Sequence, residues 1–101
     1  MARHMWTKEE NIFFCRRCVE EYIIKKNSTK VSDFISAIEK EMNYTIEKGS
    51  LKMKAQNVKY FLVANKIENT LEISPLSNCS KDNIEAMEKV LKELNISYSD
   101  S

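Results

Sequence analysis

The chain has 101 residues, 43% of them hydrophobic, with 16 basic against 15 acidic side chains, one Gly and one Pro. That length has room for one domain with a single modest core, and so little Gly and Pro argues against turn-rich β architectures and for an all-α fold. A formal net charge of +1 gives no bulk electrostatic preference for a partner, no apolar run nears the roughly 18 residues of a spanning helix, and no signal-peptide core precedes the first charged segment, so a cytoplasmic chain without a membrane role is expected.

Met1-Ala2-Arg3-His4-Met5 reads as an expression-tag remnant, because nothing in it continues the pattern that begins at Trp6, and it contains the sole histidine. Residues 6–96 are expected to form one helical domain, with 97–101 a frayed tail. Thr7 and Glu10 have the spacing of a capping box, with Trp6 outside it. The first helix is predicted to run to about Lys26, its apolar face built from Phe14, Cys18 and Tyr22 beside Ile12, Cys15, Val19 and Ile23. After the polar break Asn27-Ser28-Thr29, the residues Val31, Phe34, Ile35, Ile38 and Met42 predict a second helix ending near Asn43.

Gly49-Ser50 reads as a turn closing into an N-cap at Ser50, followed by a third helix from Leu51 to about Ala64 with Leu51, Ala55, Val58 and Leu62 facing inward and Asn65 ending it. Between Lys66 and Cys79, the pairs Asn69-Thr70, Ser74-Pro75 and Ser77-Asn78 predict a long ordered loop, pinned by Ile67, Leu71, Ile73 and Leu76. Ser80 is placed to cap a final helix in which Ile84, Met87, Val90, Leu91 and Leu94 recur at helical spacing. The expected fold is a compact four- to five-helix domain containing a helix-turn-helix-like unit.

Three cysteines without a secretory signal are expected to be free thiols. Cys15-Arg16-Arg17-Cys18 has the spacing of half a zinc site, yet with Cys79 the chain beyond the tag offers three thiols and no imidazole. Two small apolar residues on a buried helix face account for the pair better. Glu9-Glu10, Glu20-Glu21 and Glu39-Glu41 lie at surface spacings, and no phosphate loop or nucleophile motif is present. No enzyme activity, metal or cofactor is expected.

Charge distribution is more informative than its sum. Lys48 to Lys66 holds five lysines (Lys48, Lys52, Lys54, Lys59, Lys66) and no acid, on a helix that follows another after a short turn. Helical spacing places Ser50, Lys54 and Asn57 on one face, with Met53 at its edge, and Lys52, Gln56 and Lys59 on another. Lysines suit phosphates or guanine edges, Asn and Gln suit adenine, and a helix N-terminus suits a phosphate. These residues are the candidate contacts to double-stranded DNA.

The stretch Gly49-Ser50-Leu51-Lys52-Met53-Lys54-Ala55-Gln56-Asn57 resembles the Ser-x-x-x-Lys-x-x-Asn helix in the N-terminal helical domains of HNH-type restriction endonucleases. Trp6-Thr7-Lys8-Glu9-Glu10 is similar to their Trp-x-x-Glu-Glu opening, and Pro75-Leu76-Ser77-Asn78 to a Pro-Leu-x-Asn segment. The likeness covers most of residues 6 to 80. It implies a DNA-recognition module with Ser50, Lys54 and Asn57 at the matching positions, in a regulator or restriction-system relative of bacterial or phage origin. The histidines an HNH nuclease needs are missing, so the expectation is a stand-alone relative without the nuclease domain. The alternative is a small protein-interaction adaptor, with Met53, Tyr60 and Val63 as its patch.

Overall fold

A computed structural model describes residues 5–98. Helix α1 spans Lys8–Val19, α2 Val31–Glu41, α3 Lys48–Ala64 and α4 Lys81–Glu93, and a π-helical turn, Glu20–Ile24, extends α1. Among the described residues there is no strand. The all-α expectation is met with four α-helices.

The local signals that start α1 and α4 act as capping chemistry dictates. The Thr7 hydroxyl accepts from the Glu10 backbone N–H at 3.1 Å while the Glu10 carboxylate accepts from the Thr7 N–H at 2.8 Å. Ser80 Oγ accepts from the Asn83 N–H at 3.2 Å.

The last turn of the first helix is wider than its periodicity suggests. The Lys25 N–H donates to the Glu20 carbonyl, five residues back, at 3.0 Å. The Glu21 carboxylate accepts from Asn27 Nδ2 at 3.1 Å and from the Thr29 hydroxyl, and the buried Tyr22 hydroxyl donates to the Thr29 carbonyl at 3.0 Å. These side chains fold the break back against the helix it follows. The Thr29 hydroxyl, with smaller help from Asn27, holds the Glu21 carboxyl below its usual pKa.

One apolar core runs through all four helices, with Phe14, Val19, Tyr22, Ile38, Leu51, Val58, Leu62, Met87, Val90 and Leu91 fully enclosed. Packing is broadest between α1 and α4, while α2 lies on α3. Phe34 packs edge-on against Phe14 and Tyr22, at centroid distances of 6.1 and 5.2 Å, which locks α2 to α1. On the surface, Arg17 bridges α1 to the end of α2 through a two-pronged contact to Glu41, at 2.9 and 3.0 Å, and Arg16 pairs with Glu93 of α4. The radius of gyration is 12.6 Å, close to the ~13 Å expected of a folded chain of this size.

The long connection from Asn65 to Ser80 is ordered without a helix of its own. Leu71 and Ile67 enter the core. Thr70 donates its backbone N–H to the Tyr22 carbonyl at 2.9 Å and its hydroxyl to the Asn27 carbonyl at 2.6 Å. Five residues just past helix ends take left-handed backbone: Lys26, Asn43, Tyr44, Lys66 and Asn95, with φ of 52°, 55°, 57°, 55° and 57°. Glycine usually fills such positions, and this chain has a single glycine elsewhere. No helix among the described residues is long and apolar enough to cross a membrane.

Candidate nucleic-acid interface

Helix α3 begins at Lys48, three residues before the expected start at Leu51, with extended Glu47 as its N-cap. Gly49 and Ser50 therefore lie in the first helical turn, not in a turn before it, and Ser50 is not the cap. Its first turn contains no acid and the helix carries none along its length, although the acidic Glu47 stands at its N-cap.

The inward side of α3 is formed by Leu51, Ala55, Val58, Phe61 and Leu62, joined by Lys54. This corrects the expectation that Lys54 faces solvent with Ser50 and Asn57. Lys54 is 8% exposed, and its ammonium sits 4.5 Å from the centroid of the Trp6 ring. A long aliphatic stem makes this possible: it runs through apolar surroundings and delivers the charge to an indole face. Desolvation lowers the Lys54 pKa, opposed by its interactions with Cys15, Cys79 and Asp82. Ser50 and Asn57, at the positions matching the restriction-endonuclease pattern, are half-buried.

Lys59 is also committed internally. It donates to the Leu71 carbonyl at 2.7 Å and to Asn69 Oδ1 at 3.0 Å, fastening the loop across α3. Asn69 in turn accepts from the Leu71 N–H at 3.1 Å, so the lysine completes a small polar clasp.

The remaining candidates do lie outside. Lys48, Lys52 and Lys66 are exposed, and Gln56 is half-buried. Lys48 Nζ is 3.9 Å from a Glu39 carboxylate oxygen, a long surface pair of little strength. At about 100° per residue, Lys52, Met53, Gln56, Tyr60 and Val63 share the outward face, Asn57 stands at its edge, and Lys48 opens the helix beside it. Met53 is 50% and Val63 55% exposed. The five-lysine block thus presents three lysines to solvent and spends two on the fold.

Two asparagines outside the sequence candidates are buried, Asn11 on α1 and Asn83 on α4. Asn11 Oδ1 and Asn83 Oδ1 lack hydrogen-bond partners among the described residues. A legible signal existed, since each occupies an apolar stripe: Asn11 with Cys15 and Cys18, and Asn83 with Met87 and Val90.

The cysteines are free. Burial pushes the Cys15 thiol up to about 12, and raises Cys18 as well, so neither is a ready nucleophile. Among the described residues no group of three or more His, Cys, Asp or Glu is placed to hold a metal ion. No protein-family model, no curated protein and no solved structure matches the chain.

Proposed function

We propose that this chain is a non-catalytic, cytoplasmic DNA-binding module that lays the outward face of α3 against a duplex. In this reading α2 and α3 act as a helix-turn-helix-like pair, and the module belongs to a regulator or restriction-system relative. The observation that carries it is the acid-free segment 48–66, whose lysines Lys48, Lys52 and Lys66 are exposed along one helix and its end. Phosphate contacts need such cations. Gln56 and Asn57, within the same turn, supply amides for base edges. The likeness of the α3 segment to the helical domains of HNH-type restriction endonucleases supports the same reading.

A second reading is favoured by the exposure of Met53 and Val63, which with Tyr60 give that face apolar area uncommon in a purely electrostatic surface. It makes α3 the docking helix for a protein partner. Lys52→Glu and Met53→Ser, each surface changes that leave the core intact, separate the two. Loss of duplex retardation in Lys52→Glu with a mild effect of Met53→Ser supports DNA. No retardation of any duplex by wild type, together with a captured partner lost in Met53→Ser, sinks it.

A further inference from the structure

The outward face of α3 is unevenly charged, and the fold makes it so. Five lysines are spread along residues 48–66, but Lys54 is buried against the Trp6 ring and Lys59 is fastened to the Leu71 carbonyl. The exposed cations that remain stand at the two ends, Lys48 and Lys52 at the start and Lys66 just past Ala64. Between Lys52 and Lys66 the face is neutral, formed by Met53, Gln56, Tyr60 and Val63 with Asn57 at its edge. The Gln56 and Asn57 side-chain amides have no hydrogen-bond partner among the described residues. Met53 and Val63 are the exposed large apolar side chains of the helix.

Cations at the ends with amides and apolar groups between them match the order of groups in a major groove, where phosphates flank the base edges. Met53 lies three residues before Gln56 and four before Asn57, so the three side chains are neighbours on adjacent turns. A primary amide pairs with adenine through both its groups, donating to N7 and accepting from the N6 amino group, whereas guanine offers N7 and O6, two acceptors that leave the amide carbonyl unmatched. The guanine readers are lysine and arginine; α3 has no arginine, and its exposed lysines are away from the centre of the face. Thymine alone among the four bases presents a methyl group in the major groove, which an exposed thioether or valine can cover. We propose that the centre of this face reads A·T base pairs in the major groove, with Gln56 or Asn57 on adenine and Met53 against the thymine methyl. The proposal rests on the DNA-binding reading of α3 and gives that site its preferred substrate.

Anisotropy titrations with labelled duplexes of equal length at one salt concentration test it. A dA·dT duplex should bind about tenfold or more tighter than dG·dC, the worth of one amide–adenine pair. A dI·dC duplex presents the groups of G·C in the major groove and those of A·T in the minor groove, so it should bind as weakly as dG·dC. Replacing thymine by uracil, which lacks the methyl, should weaken binding about fourfold. Met53→Ala should erase the difference between thymine and uracil, and Gln56→Ala with Asn57→Ala should bring dA·dT down toward dG·dC. Lys52→Glu, by contrast, should weaken every duplex alike. All of these residues lie outside the core, and helical circular dichroism confirms that each variant is folded. Equal affinity for dA·dT and dG·dC, dI·dC binding as tightly as dA·dT, or no loss on replacing thymine by uracil would overturn the proposal. With salt-dependent binding retained, those outcomes leave phosphate engagement by α3 standing, whereas binding to none of the duplexes removes the DNA reading and this proposal with it.

Discussion

Replacing Lys54 by Glu tests how α3 divides its lysines between the fold and the surface. In the native arrangement the ammonium lies over the Trp6 ring and the residue is 8% exposed. The substitution removes a cation–π contact of ~0.5–2 kcal/mol and puts a carboxylate against the negative face of the indole. Asp82, which interacts with Lys54, would then repel it. An uncompensated buried charge costs about 3–5 kcal/mol, which for a domain near this size corresponds to a melting temperature lower by roughly 12 °C or more. Lys54→Met keeps most of the stem and sheds the desolvation cost along with the cation–π contact, so its change should stay within ~1–2 kcal/mol. Lys52→Glu, on the outward face, should remain within ~0.5 kcal/mol. Thermal melts followed by circular dichroism and by Trp6 fluorescence measure all three. If Lys54→Glu melts within about 2 °C of wild type, the buried placement of Lys54 is refuted.

Gly49 sits in the first turn of α3 with ordinary helical backbone and open space where a Cβ would go, so Gly49→Ala should stabilise by ~0.5–1 kcal/mol in a urea titration; destabilisation would contradict the early helix start. Tyr44, exposed and at φ 57°, should tolerate Gly with a gain of up to ~1 kcal/mol, whereas a loss would mean that its ring contributes packing. Glu21 and Glu41 have lowered pKa values, the first through the Thr29 hydroxyl and the second through Arg17, so their stabilisation is complete above the ordinary carboxylate range near 4.5 and fades as pH falls through the lowered values; urea midpoints at pH 7 and 3 should differ less in the Glu41→Gln variant than in wild type. On the alkaline side, burial raises Cys15, Cys18, Cys79 and Tyr22, so the native state holds protons the unfolded chain releases, and stability should fall as pH rises above about 9; the lowered Lys54 acts in the opposite direction. A midpoint that rises above pH 9 would contradict the burial of these thiols.

Elements whose signals are local were readable in the sequence. The Thr7–Glu10 box and the Ser80 cap mark two helix starts because a hydroxyl three residues before an exposed N–H is a short-range arrangement, and the Phe34–Ile38 stripe marks α2 because burial repeats with the helical period. The start of α3 was not readable: Glu47 caps without a side-chain hydrogen bond, while Gly49-Ser50 looks like a turn although the glycine needs no special backbone. At the candidate site, Lys52 and Lys48 lie outside as their spacing implies. Lys54 does not, because its orientation is set by Trp6, far away in sequence and brought near only by the packed fold. Lys59 has the same origin for its error, since Asn69 and Leu71 reach it through a loop whose path no periodicity encodes.

Whether the exposed lysines of α3 engage a phosphate backbone is tested directly by fluorescence anisotropy of a labelled duplex measured across a salt series. With Lys48, Lys52 and Lys66 each neutralising one phosphate, the log-log slope of affinity against salt should be about −2.7, and Lys52→Glu should make it shallower by about 0.9 while the melting temperature is unchanged. Absence of binding to any duplex at low salt, or binding whose affinity does not change with salt, would contradict the account.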